Sequence, residues 1–349
     1  MAVFFFVLVL GSCGSESDNS SQDITPTGGR LVLFNWEEYI GSQTIEKFTE
    51  KTGIEVEELF FLNEEQMLAS VQSDRAVYDL IVSSDDSIRE MIEAKLLAPI
   101  DYEKIPNFRH ISESFTHREW DPEQKYSVPY FWGTTGVVIN TKFIDEESNS
   151  YSVLFDERYR GKIAMLSNVW EVAAACAKYL GLSIASKDPG VWERVGAAMI
   201  AQQSLLLAYY DSNTIKKMLI DGELWAAQQF SGEGLAAADE NEDLLFYIPV
   251  EGAAQWLDSF AIPRNAANPV AAHQFLNFIL EPEINAAIAS ELWYATANSS
   301  AEAYIDPDVM EDESVNPLPE VVARLEFFVD VGENDRIVNR AWSEILAAQ

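Results

Sequence analysis

The chain has few of the side chains that most protein chemistry uses. It has two cysteines, Cys13 and Cys176, and three histidines, His110, His117 and His273. Two such distant cysteines make no disulfide framework, and Cys176, inside VAAACAKYL, reads as a small buried apolar residue. None of the histidines sits in an HExxH or a Cys/His metal spacing. His110 and His117 fall in a polar connection and read as surface residues, and His273 as a helix residue that caps or packs. There is no Gly-x-Ser-x-Gly elbow and no phosphate-cradling loop. Basic residues are scarce: 23 Lys and Arg stand against 57 Asp and Glu, a formal net charge of −34. A nucleic-acid binder needs a basic stripe for phosphate contacts, so that class is excluded. Anionic ligands and anionic membrane surfaces are disfavoured, and cations are attracted. The plainer reading is that the acids only keep a surface soluble, or suit a salty habitat. No repeat of fixed period appears, which excludes solenoids and propellers. No stretch beyond the N-terminus has the length and purity of a membrane span.

What is present supports a sizeable core. Apolar residues make up 48% of 349, enough for two domains of ordinary size. Val3 to Leu10 is an apolar run, too short to span a bilayer and suited to a secretory signal over residues 1–12. Leu10-Gly11-Ser12-Cys13 is similar to a bacterial lipobox, in which the signal is cut before a cysteine that takes a lipid. No Lys or Arg precedes the apolar run, a departure from the usual pattern, and an ordinary signal with a chance cysteine is the alternative. Residues 13–29 then read as the lipidated cysteine and a flexible polar tether. The expected location is periplasmic or cell-surface, with the membrane touched only through the anchor.

From Arg30 onward, strand-like and helix-like runs alternate. LVLF (31–34), residues 54–61 and YDLIVSS (78–84) read as strands, with a helix between the first two that puts Ile45 and Phe48 on one face and stops at Gly53, and further helices at 64–73 and 87–96. YSVPYFW and GVVIN, KIAML, LLLAYYD and LDSFAIP continue the series, with helices from Trp170 and over 273–280. This alternation predicts an α/β fold with a mostly parallel sheet.

Charge is unevenly placed. From Met218 to Phe327 the basic residues are Arg264 and Arg324, against nineteen acids between Asp221 and Glu320. That favours a cation-attracting site in the C-terminal half, although exposed acidic runs are more often solvated faces. Aromatic residues, 12% of the chain, recur beside acids or polar residues at element ends: Asn35-Trp36-Glu37-Glu38-Tyr39, Tyr130-Phe131-Trp132-Gly133, Gln255-Trp256-Leu257-Asp258 and Trp293-Tyr294. Strand ends of an α/β sheet face the ligand crevice. An ammonium over an aromatic face gains about 0.5–2 kcal/mol, and a carboxylate adds a charge-assisted hydrogen bond. Aromatic faces for methylenes and carboxylates for ammonium heads suit a long aliphatic polycation.

At FNWEEYI, KFTEKTGIEV, YDLIVSS, YSVPYFWGTTGVVIN, YRGKIAML, WLDSFAIP and FLNFIL the chain resembles the periplasmic spermidine/putrescine-binding proteins of polyamine ABC transporters. The resemblance runs in order from about Leu31 to the C-terminus. It implies the two-lobed, type II-like fold of solute-binding proteins, with ligand held between lobes that close about a hinge. It places lobe one at 30–137 plus 258–304 and lobe two at 138–257 plus 305–349. It implies ligand-binding roles for Trp36, Tyr39, Ser84, Glu171, Trp256, Asp258 and Tyr294. At other matching positions the residue differs from the family's: Asp86 stands for an aromatic, Asn168 for an acid, Asp211 for a serine and Phe230 for a tryptophan. Phe328 stands for a glutamine, on a looser alignment. An acid lost at Asn168 and acids gained at Asp86 and Asp211 are expected to change the preferred polyamine or cation.

The expected function is capture of spermidine or putrescine and delivery to an ABC permease by a monomer, with no catalysis, no cofactor and no metal. Another small organic cation as ligand, presentation of a ligand to a membrane receptor, or an acidic extracytoplasmic hydrolase are the alternatives. Turnover of a glycan would mark the last.

Overall fold

The computed structural model describes residues 29–73, 77–145 and 147–348. The signal, Cys13 and most of the tether lie outside the described residues. Eleven strands form one strongly curled sheet: β1 Gly29–Asn35, β2 Ile54–Phe60, β3 Leu80–Ser84, β4 Val128–Asn140, β5 Ile163–Leu166, β6 Leu206–Tyr210, β7 Ala226–Phe230, β8 Leu244–Tyr247, β9 Ala254–Ala261, β10 Ala295–Thr296 and β11 Glu326–Phe327. The main order is β2-β1-β3-β9-β4-β7-β5-β6, with β8 and β10 also on β4 and β11 on β9. The outer pairs β1 with β2 and β3, and β5 with β6 and β7, are parallel, whereas β9 and β4 run antiparallel to their neighbours in the main order, and β11 lies parallel to β9.

Those two central strands join the lobes. β4 pairs β9 through its first half, and β7 and β8 through its second. Its Phe131 packs in one core with Leu31, Phe48 and Phe275, while its Val137 packs in another with Met165, Val172 and Trp192. β9 makes the return crossing, with Ala254 in the second core and Leu257 and Phe260 in the first. Each lobe is a sheet covered on both faces, as parallel strands require. Helices Thr44–Thr52, Pro269–Ile279 and Pro282–Leu292 cover one face of lobe one. Helices Glu64–Gln72 and Asp85–Glu93 cover the other. In lobe two, Val169–Tyr179, Pro189–Gln203 and Asp335–Ala347 lie on one side, and Ser212–Ile220 and Ser231–Glu240 on the other.

The lobe boundaries differ from the sequence expectation at the C-terminal end. Ile305, Val309 and Val315 are buried in the core of lobe one, so the segment from 305 does not yet belong to lobe two. The chain returns at β11, beside Ala254 and Gln255, and Phe328, Val329 and Val331 then pack in the second core. Buried Lys178 holds that return, its Nζ 2.7 Å from Glu326. YSVPYFW and GVVIN, read as separate strands, form the single strand β4. His273 is a packing residue: its Nε2 accepts from the Asp101 amide and its Nδ1 faces the Pro269 carbonyl. Cys176 is fully buried. Among the described residues no helix is long and apolar enough to cross a membrane.

Candidate functional site

The strands of lobe one end at a common edge facing lobe two, and their sequence there is polar. In β3 and β9, Ser84 stands directly opposite Asp258. After β1 the chain turns through Glu38, with φ 59°, and brings Tyr39 to the same edge. After helix Pro282–Leu292, Trp293 takes the left-handed conformation at φ 56° and turns the chain so that Tyr294 enters the cleft. The Tyr39 and Tyr294 rings meet edge to face at 5.8 Å, and Tyr294 meets Trp256 in the same way at 5.2 Å. Phe230, at the end of β7 in lobe two, lies edge-on to Trp256 at 6.1 Å. Buried Trp256 Nε1 has no hydrogen-bond partner.

Two glycines make room for these rings. A Cβ on Gly133 would lie 2.4 Å from Trp256 Cζ2, and one on Gly232 would lie 2.3 Å from Tyr294 Cζ. The second contact joins the lobes, since Gly232 begins a lobe-two helix and Tyr294 belongs to lobe one. Gly232→Ala is therefore expected to push Tyr294 from the cleft, at a cost of about 1–3 kcal/mol in thermal stability. Unchanged melting and unchanged ligand affinity would show that the ring shifts freely.

Carboxylates from both lobes converge on the aromatic walls. Asp258 is 8% exposed, and its pKa is pushed up to about 7, mainly by burial and further by Glu64 and Glu233; the Tyr39 hydroxyl offsets part of the rise. Glu171 is 4% exposed, and its pKa is pushed up to about 8 by burial first, with Asp86 and Glu64 adding to it and the Thr135 hydroxyl opposing. Its Oε2 has no hydrogen-bond partner. It sits in the first turn of helix Val169–Tyr179, where the macrodipole favours a negative group. Glu64 accepts from the Ser84 hydroxyl, from the Ser84 amide at 3.2 Å and from the Ser83 hydroxyl at 3.4 Å. Glu233 of lobe two accepts from the Tyr294 hydroxyl. Asp85 is 2% exposed with Oδ2 unpartnered, and burial holds its pKa well above the usual carboxylate range. Asp86 forms an ion pair with Arg89 at 2.6 Å.

The expected site residues are thus partly gathered. Tyr39, Ser84, Phe230, Trp256, Asp258 and Tyr294 meet directly, and Glu171 and Asp86 face them through the electrostatics of Glu64. Trp36 packs against Phe61, their ring centres 4.3 Å apart and their planes tilted by 60°. Asn168 and Asp211 serve local structure. Asn168 is exposed, and its Oδ1 caps helix Val169–Tyr179 by accepting from Trp170 and Glu171 amides. Asp211 is exposed and caps helix Ser212–Ile220, accepting from the Thr214 amide at 2.9 Å and its hydroxyl at 2.6 Å. Neither carries an unpaired charge into the cleft, contrary to the role expected for Asp211. Asp86 does face the cleft, but Arg89 already occupies it.

Sequence reasoning missed Glu64, Asp85 and Glu233. It also put the cation-attracting field in the C-terminal half, whereas of the cleft acids only Glu233 and Asp258 lie there. Most of the other acids of that half are exposed. Among the described residues, no group of His, Cys, Asp and Glu could hold a metal ion. The cleft offers hydrogen-bond acceptors, negative charge and aromatic faces, an arrangement for holding an elongated cation.

The model of the bacterial extracellular solute-binding proteins matches residues 43–317. The chain belongs to that family. A spermidine/putrescine-binding periplasmic protein of Salmonella typhimurium is 28% identical over 347 residues, 98% of this chain and 96% of its own. A putrescine/cadaverine-binding protein of Pseudomonas aeruginosa is 27% identical over 330 residues, 90% of this chain and 93% of its own. Among solved structures, a putative spermidine/putrescine ABC transporter from Listeria monocytogenes superposes with a TM-score of 0.84 at 31% identity, covering 92% of this chain and 99% of that one. A Treponema pallidum lipoprotein superposes at 0.81 and 27%, covering 90% and 99%. As a solute-binding protein, the chain has the two-lobed architecture in which a cleft of this kind takes the ligand.

Proposed function

We propose that this solute-binding protein captures a polyamine outside the cytoplasmic membrane and delivers it to an ABC permease, acting as a monomer and without catalysis. The observation that carries the reading is the pair Asp258 and Glu171. Each is buried, each comes from a different lobe, and no basic side chain acts on either. A carboxylate so desolvated is stable only when a cation pairs with it. An amine with an ammonium at each end supplies both charges, and Trp256, Tyr39 and Tyr294 cover its methylenes. Closure of the lobes over two charged carboxylates then depends on the ligand, because without its ammonium groups burial keeps them protonated. Ligands of this kind are named for the Salmonella and Pseudomonas relatives, which supports the reading.

Calorimetric titration of residues 30–349 with putrescine, cadaverine, spermidine, spermine and butylamine tests it. Micromolar or tighter binding of a polyamine, with butylamine silent, is the expected result. Equal binding of butylamine would remove the need for two carboxylates and favour another small cation. Anchoring through Cys13 belongs to the same proposal, and incorporation of labelled fatty acid, lost in Cys13→Ser, checks it.

A further inference from the structure

The cleft holds more acids than a short polyamine has charges, so it matters which of them the protein has already satisfied. Glu64 is taken by donors of its own lobe, the Ser83 and Ser84 hydroxyls and the Ser84 amide. Glu233 is taken by the Tyr294 hydroxyl. Asp86 is paired with Arg89 at 2.6 Å, one turn further along the same helix, with both side chains about one-third exposed or less. Arg89 also acts on Asp335, which opens the last helix of lobe two, so the guanidinium stands at the face between the lobes.

A second arginine stands on the same side but forms no ion pair with Asp85. The guanidinium carbon of Arg118, from the connection before β4, lies 4.0 Å from the Phe327 ring centre and 5.1 Å from that of Trp120. Its Nε is buried without a partner. Its charge acts on Asp85, whose Oδ2 is likewise buried and unpartnered. Basic residues are rare in this chain, and Arg89 is the one held at the cleft in an ion pair with a neighbouring aspartate.

We propose that Arg89 is the tethered counter-ion of Asp86, filling the place of a third ammonium and making this cleft selective for a diamine. The inference rests on the polyamine reading. Its physical basis is that Asp258 and Glu171 remain as the buried carboxylates with no protein cation, giving two ionic anchors. The charge of Glu64 acts on both. A longer triamine must bring an additional ammonium against a guanidinium or leave it in a dry cleft unpaired, and either costs affinity.

The test is the ratio of putrescine to spermidine affinity by calorimetry, in the wild type and in Arg89→Gln. The wild type is expected to prefer putrescine by about tenfold or more, and the variant to lower that ratio by about tenfold as Asp86 becomes free for a third ammonium. A merely structural role would move both affinities together, so an unchanged ratio in the variant overturns the proposal. A wild type that prefers spermidine also overturns it while leaving the polyamine reading intact. A wild type that binds no amine overturns that reading and the inference with it.

Discussion

Asp258→Asn is expected to weaken binding of a diamine by about 30-fold to several-thousand-fold, the equivalent of about 2–5 kcal/mol for leaving a buried charge unpaired. The side chain is 8% exposed at the centre of β9 and opposite Ser84, so water does not replace the lost carboxylate. Asparagine keeps the volume and hydrogen-bonding atoms, and the strand pairing does not depend on the side chain. The empty protein responds in the opposite direction. The Asp258 carboxyl is raised to about 7 in the fold, against about 3.9 in an unfolded chain. A raised carboxyl gives its stabilisation below the unfolded value and loses it as pH rises through the folded one. The empty wild type should therefore lose melting temperature between pH 5 and pH 8, and Asp258→Asn should lose less of it. With putrescine added, the wild type should regain the loss and the variant should not. Near-wild-type affinity in the variant would remove Asp258 from the site.

The alternation of strands and helices was legible because apolar runs and stop signals agree, as where Gly53, at φ 72°, ends helix Thr44–Thr52. β4 was not legible as one strand. Gly133-Thr134-Thr135-Gly136 resembles a turn, yet the glycines are there for contact: Trp256 crowds Gly133, and the Tyr247 carbonyl lies 2.5 Å from where a Gly136 Cβ would be. A close approach from a distant part of the chain leaves the same residue in the sequence as a turn does. Similarly, Asp211 before Ser-Asn-Thr and Asn168 before a helix are ordinary cap signals, but family position outweighed them.

Among 57 acids, composition cannot single out Glu64, Asp85 or Glu233. What distinguishes them is burial set by tertiary packing. One signal was available for Asp86: an arginine three residues on, in a helix, is a neighbour on the same face. It would have shown that the aspartate gained at this position comes with its own cation. Asp258, Glu171 and Trp256 were reached through the family pattern, and the aromatic-beside-acid recurrence by itself indicated only the class of ligand.

Proton linkage follows from the same buried pair. Glu171 is raised to about 8 and Asp258 to about 7, so at pH 6 the empty cleft holds a proton on each. An alkylammonium ion stays charged throughout this range, with a pKa near that of lysine, about 10.4. Pairing with it requires each carboxyl to lose its proton, which costs about tenfold in affinity for every pH unit below that group's pKa. Affinity should therefore fall on the order of a thousandfold from pH 8.5 to pH 6. Near pH 7, binding should release about one proton or more, read by titrating putrescine in buffers of different ionisation enthalpy. In Glu171→Gln the dependence should flatten between pH 7 and pH 8 and persist below pH 7, where Asp258 still titrates. The neighbours named for Glu171, Asp86 and Glu64, keep its proton bound in the empty state, and the incoming ammonium reverses their effect. An affinity independent of pH from 6 to 8.5 would mean that the ligand does not meet these carboxyls. Release confined to one proton, lost in one of the two variants, would place a single ammonium in the cleft.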